Sequence, residues 1–313
     1  MLSRVASHLY WMARYLERAE NMARILDVGQ LLSMVSRGED SEATAIEPLV
    51  ITNSLEAFDA AGRARTPEDV AGYLAWDPRH GSSIFSCLRN SRENARAVRA
   101  DITTEMWEDI NATWLQLLQK RHQDHPPADN AFFEWVKERS HLFRGITFAT
   151  IRRDQPYHFI RLGTYLERAD NTARILDVKY YLLLPSLAHV GTALDTAQWD
   201  NVLRSLSGER AYRWLNAGRM DARSIAEFVI LDDRFPRSLA FCYAAMRENL
   251  AALARLHGQE GPAHELMRLA DQRLTGKDIE EIFDQGLHEF LIDFVRRNRE
   301  VASAIAEQYR FTA

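Results

Sequence analysis

Cysteine is almost missing from this sequence. The two present in 313 residues, Cys87 and Cys242, lie in apolar helical contexts; this excludes a disulfide framework and reads as two small core residues in a reducing compartment. Glycine (14) and proline (9) are scarce too, which excludes a turn-rich β architecture and predicts long helices joined by short turns. No apolar run approaches the length of about 18 residues that a membrane helix needs. Arg4, His8, Arg14, Glu17, Arg18 and Glu20 break the stretch where a signal peptide would keep an apolar core, so a soluble, unprocessed, cytoplasmic protein is expected. Positive charge is not in excess either: 39 Lys and Arg against 44 Asp and Glu leave a net charge of −5. That gives no global attraction to nucleic acid or to an acidic membrane. Walker loop, dinucleotide glycine fingerprint, GxSxG elbow and CxxC pair are all absent, so no cofactor is expected.

What is present is a repeat. YLERAENMARILDV at 15–28 returns at 165–178 as YLERADNTARILDV, changed only at Glu20/Asp170 and Met22/Thr172. His8 and His158 correspond as well. A second echo pairs Asp77, Arg79, Ser83, Cys87, Arg92, Glu93 and Asn94 with Asp232, Arg234, Ser238, Cys242, Arg247, Glu248 and Asn249. The chain therefore reads as an all-α, internally duplicated helical bundle. Its pseudo-symmetric halves, 1–153 and 154–313, form one integrated unit. Helices are expected at 3–34, 42–61, after Thr66-Pro67, and at 82–100, 103–121, 131–152, 156–184, 192–206, 209–216, 221–231, 235–257, 262–274 and 278–310. HQDHPPADN at 122–130 is the clearest loop.

On a helical projection Tyr15, Ala19, Met22, Ala23 and Leu26 form an apolar side. Glu17, Glu20, Asn21, Arg24 and Asp27 crowd the other, beside Arg18; Glu167, Arg168, Asp170, Asn171, Arg174 and Asp177 repeat this set. A solvated lattice of ion pairs gives no reason to keep asparagine, or arginine in place of lysine. Beside that solvated face, two further readings stand open: a buried polar network, and a ligand or partner site. His8 and His158 are secondary candidates, read first as hydrogen-bonded core histidines.

In the second echo, Asp and Ser near a helix start are capping residues. Arg79 with Ser83, and Arg234 with Ser238, are candidates for an anion site beside free helix amides. The triplets Arg92-Glu93-Asn94 and Arg247-Glu248-Asn249 point in three directions within a helix, so at least one residue of each is expected to reach a neighbouring helix. A di-iron bundle needs Glu-x-x-His on two helices; the chain offers it once, at Glu138 and His141. His122 and His125 stand alone in a Pro-rich loop, and no metal is expected.

The opening SRVASHLYWMARYLERAENMARILDV, the internal YHFIRLGTYLERADNTARILDV, the DDRFPRS turn and the REN triplets resemble the bacterial alpha-E domain family over essentially the whole chain. Glu17, Arg18, Asn21, Arg24 and Glu167, Arg168, Asn171, Arg174 match its repeated signature. Ser7 departs from it, standing where the family more often has an acidic residue. The resemblance implies partners: circularly permuted ATP-grasp amide-bond ligases and transglutaminase-like peptidases, in a pathway of peptide synthesis or modification. It implies a helical accessory or scaffold, with homo-oligomerisation left open. The alternative is an enzyme that forms or cleaves amide bonds with Glu17 and Glu167 as acid and base, which would need their environments driven apart.

Overall fold

The computed structural model describes residues 1–35, 40–182, 193–216 and 220–311, and among them it is all-α, without a strand. The polar stretch expected to close the first helix falls partly on 36–39, and the end of the helix expected at 156–184 falls on 183–184; both lie outside the described residues. No helix among them is long and apolar enough to cross a membrane. Fifteen helices are described: α1 (Ser3–Val35), α2 (Asp40–Ile51), α3 (Leu55–Ala60), α4 (Pro67–Trp76), α5 (Ile84–Ala97), α6 (Thr104–Arg121), α7 (Asn130–Thr150), α8 (Gln155–Leu182), α9 (Ala193–Ser205), α10 (Glu209–Leu215), α11 (Ala222–Leu231), α12 (Leu239–His257), α13 (Pro262–Gln272), α14 (Ile279–Gln285) and α15 (Leu287–Gln308).

Two of the expected helices are each divided in two. The helix expected at 42–61 breaks after α2, where Asn53 takes a left-handed φ of 53° and Ser54 turns back to bond the Leu49 carbonyl. The helix expected at 278–310 breaks at Gly286, whose φ of 98° suits only a residue without a side chain. A hydrophobic pattern that stays in phase across one special residue hides such breaks.

The chain forms two compact units, Met1–Thr164 with Phe311, and Tyr165–Arg310. In the first unit α1 is central, packing chiefly on α5 and α7, and also on α2 and α4. One glycine and no proline in 33 residues let it run unbroken. The loop after α6 is tied down: Gln30 donates to the Ala128 carbonyl at 2.6 Å and Trp76 Nε1 to the Pro127 carbonyl at 2.8 Å. The first turns of α8 belong to this unit too. There Gly163 passes so close to α1 that a Cβ would strike the Tyr10 carbonyl. Phe311 closes the unit against Tyr10 and Phe159, with centroids at 5.2 and 5.9 Å. In the second unit α12 packs on α11 and α13, and α15 on α13 and α14.

Candidate functional site

Between Leu16 and Leu26, α1 is covered almost all round. Glu17, Glu20, Asn21 and Arg24 are as buried as the apolar residues between them, and only Arg18 is half-exposed. The polar side of α1 is thus also a packing side, and α7 supplies its cover. Arg24 donates to Glu20 Oε1 from Nε at 2.9 Å and from Nη2 at 2.7 Å. Ser140 donates to Glu20 Oε2 at 2.7 Å. Arg144 Nη1 donates to Glu17 at 3.0 Å, to Ser140 Oγ at 2.9 Å and to Glu20. His141, on the outer side, lies 3.1 Å from Arg24 Nη2 and 3.4 Å from Glu20. Burying a carboxylate costs several kcal/mol unless its partners are fixed; here two glutamates face two guanidinium groups, so the cluster balances its own charge. One turn on, Asp27 accepts from Lys137 Nζ at 2.8 Å and from Asn130.

In the second unit Glu167 and Arg168 are buried, whereas Asp170, Asn171, Arg174 and Asp177 are half-exposed. Arg174 Nε donates to Asp170 at 2.7 Å. Asp177 sits 2.6 Å from His288 Nδ1 on α15. Burial pushes the Asp177 carboxyl above the usual carboxylate range, and the His288 hydrogen bond works against that rise. From the same helix Asn298 reaches back, donating to the Leu166 carbonyl at 3.0 Å.

The arginine after each glutamate joins the two repeated elements. Arg18 Nη1 lies 3.5 Å from Ser82 Oγ, and Arg168 Nη1 donates to the Pro236 carbonyl at 3.2 Å. Both targets are in the turn ahead of the next long helix. That turn is built alike in both places. Asp77 accepts from the Arg79 amide, and Asp232 from the Arg234 amide. Ser83 caps α5 and donates to the Asp77 carbonyl, while Ser238 caps α12 and donates to that of Asp232. The arginine that capping left unexplained has a partner of its own at 79. The Arg79 side chain folds onto buried Asp77 at 2.9 Å and, with Arg63 at 2.8 Å, holds that carboxyl far below the usual range. Arg234, 82% exposed, approaches Asp233 at 3.9 Å.

The triplets reach neighbouring helices. Asn94 meets His8 Nδ1 at 2.8 Å, Arg92 donates to Asn111 on α6 at 3.0 Å, and Arg247 to Asp271 on α13 at 2.7 Å. Asn249 is buried and bonds the Ala245 carbonyl; Glu93 and Glu248 are exposed, and His158 is half-buried. His122 caps α6 through the Leu118 carbonyl, and exposed Glu138 stays clear of the buried cluster. Among the described residues no three His, Cys, Asp or Glu gather to hold a metal.

A pocket of ≈ 380 Å³ opens beside the buried cluster. Its walls are Leu16 and Glu17 of α1, Ser140, Phe143, Arg144 and Phe148 of α7, and Tyr157, Ile160 and Arg161 of α8. Sequence reasoning passed over Ser140, Arg144, Lys137, Tyr157 and Arg161. Ser140 and Arg144 are four apart on α7, a spacing that signals one helix face, yet neither belongs to a repeated segment that would single it out.

No solved structure matches this chain. Uncharacterized proteins of Mycobacterium bovis and Mycobacterium tuberculosis are 24% identical to it over 319 residues, covering 93% of this chain but 35% of theirs. The chain thus spans about a third of the length of these relatives. The profile of a family described as "a predicted alpha-helical domain with a conserved ER motif" matches residues 1–310. The Glu-Arg pairs 17–18 and 167–168, which tie each repeated helix to the turn it serves, fit that description. The chain belongs to the Alpha-E family.

Proposed function

We propose that this chain is a non-catalytic helical module, a cytoplasmic scaffold. It works beside a circularly permuted ATP-grasp amide or peptide ligase and a transglutaminase-like peptidase, and it holds or presents the peptide that they make or modify. The two repeats, 1–153 and 154–313, act in it as one unit. One observation carries the scaffold reading over the enzymatic one. Glu17, the first of the two acids that the enzymatic reading needs, is already occupied as an acceptor by Arg144, whereas a general acid or base must be within hydrogen-bond reach of the group it serves. The partners rest on the family resemblance. The mycobacterial relatives, in which a region like this one is joined to nearly twice its length of further chain, agree with a module that acts in company.

The test is a reconstitution. The purified chain, given ATP, amino acids and short peptides, forms and cleaves no amide bond; mixed with the ligase, it co-elutes as a defined complex and raises the ligase's use of peptide substrate. Amide formation or cleavage by the chain alone, abolished by Glu17→Gln, would establish the enzyme instead. Failure to associate with either partner would remove the scaffold.

A further inference from the structure

The pocket beside the buried cluster has a property that the scaffold reading alone does not use. Every hydrogen bond that Arg144 makes among the described residues leaves from Nη1. Nε and Nη2, the edge that grips a carboxylate with two parallel bonds, donate to nothing there. The side chain is 23% exposed and lines the pocket. Its guanidinium is therefore anchored from behind and open in front. Arg161 contributes a second cation from α8. Glu17 is the acid among the lining residues, and it is itself bonded to Arg144.

The mouth is aromatic. Phe148 is 66% exposed, and Arg153 lies over both its ring and that of Tyr157, at 4.5 and 4.2 Å. Much of the pocket's ≈ 380 Å³ is open to solvent, so a ligand there is held by an end group and one side chain rather than enclosed. A free amino acid would bring an ammonium group, and the acid in the wall, Glu17, is already engaged by Arg144. A peptide end brings an amide N–H in its place.

We propose that this pocket binds the free C-terminal carboxylate of a peptide on Arg144 and Arg161, with the last side chain, bulky and apolar, against Phe148 and Tyr157. The assignment rests on the reading that the chain handles a peptide, and it gives that peptide a polarity: its carboxyl end is the one held.

Calorimetric titration of the full chain with N-acetyl-Ala-Phe, with its C-terminal amide and with free phenylalanine tests this. The acid is expected to bind at least about tenfold more tightly than the amide or the amino acid, a gap of about 1.4 kcal/mol. Equal binding of acid and amide, or tighter binding of free phenylalanine, would overturn the proposal. Arg161→Gln is expected to lose about tenfold for the acid and nothing for the amide. Arg144→Lys, which keeps a cation for Glu20 but has no fork, is expected to lose more. Should Arg144→Lys fail to fold, the acid–amide comparison in the wild-type and Arg161→Gln chains decides. Ligase association retained by a variant that has lost the peptide acid would leave this site standing and separate it from the docking surface. Association lost while peptide binding persists would overturn the scaffold and not the pocket.

Discussion

Two helices carry nearly the same fourteen-residue word, and they live differently. In α1 the acid at position 20 is a glutamate of zero exposure, gripped by Arg24, Ser140 and Arg144. In α8 its counterpart is Asp170, one methylene shorter, 21% exposed in its side chain and bonded to Arg174 alone among the contacts described. Asp27 pairs with a lysine of α7, and Asp177 with a histidine of α15. The difference lies in what covers the word, and α7 and α15 share none of its likeness. A kept sequence therefore fixes a helix and its apolar seat, while the covering helix decides whether its polar residues form a sealed cluster or a half-open one.

The comparison breaks hardest at Glu20. Glu20→Ala strips Arg24 and Arg144 of their common counter-charge in a buried place, and is expected to cost about 3–5 kcal/mol. Asp170→Ala, removing a partly solvated pair, is expected to cost less than about 1 kcal/mol. Urea denaturation of the two variants measures both, and similar losses would show the units to be equally sealed.

Gly163 tests a second contrast. The residue standing 150 positions earlier is Ala13, and the two touch, because a Cβ on Gly163 would lie 3.3 Å from that of Ala13 as well as against the Tyr10 carbonyl. Gly163→Ala should cost roughly 2–3 kcal/mol, since backbone rather than a flexible side chain must move. An unchanged midpoint would mean that α8 slides freely there.

How much of this was legible beforehand follows from the same contrast. The helices, the loop at 122–130 and the capped turns were readable because each is set by local chemistry: periodicity, proline, and a serine or aspartate at a helix start. That Glu17, Asn21 and Arg24 stand out, with Glu20 kept as an acid in Asp170, was readable because they recur. Their partners on α7 were not, since Ser140 and Arg144 recur nowhere and lie more than a hundred residues away. The two broken helices were missed for a related reason: Asn53 and Gly286 change the backbone without changing the pattern around them. Gly163, a lone glycine inside a helix, was a signal on the page that carried no weight until its neighbour was known.

A third acid sharpens the meaning of a buried carboxylate. Asp109 on α6 is 8% exposed, its Oδ2 is buried without a hydrogen-bond partner, and Arg139 comes no nearer than 4.0 Å. Burial pushes it up to about 6. A folded-state value raised above the ordinary 3.8 means that its contribution to stability is full below that ordinary value and is lost as the pH climbs through about 6. Asp109→Asn is therefore expected to stabilise the protein by roughly 2 kcal/mol at pH 7.5. The advantage should fade below pH 6 and vanish below pH 4. A pH-independent difference between variant and wild type would show that Asp109 is already solvated or paired.

The smallest effect is the most discriminating. Asp170→Glu gives the second helix the acid of the first, and Glu20→Asp does the reverse. If the covering helix sets the constraint, the exchange is lopsided. A longer side chain at the half-open position 170 can extend toward water and still reach Arg174, so its cost should stay within about 0.5 kcal/mol. A shorter one at position 20 must retreat from Arg144 or from Ser140, leaving a buried donor unmet, which costs about 1–3 kcal/mol. Thermal melts of the two single variants at one pH read the asymmetry directly. Equal losses on both sides would mean that residue length is prescribed by the helix word itself, and that α7 and α15 impose the same geometry by different side chains.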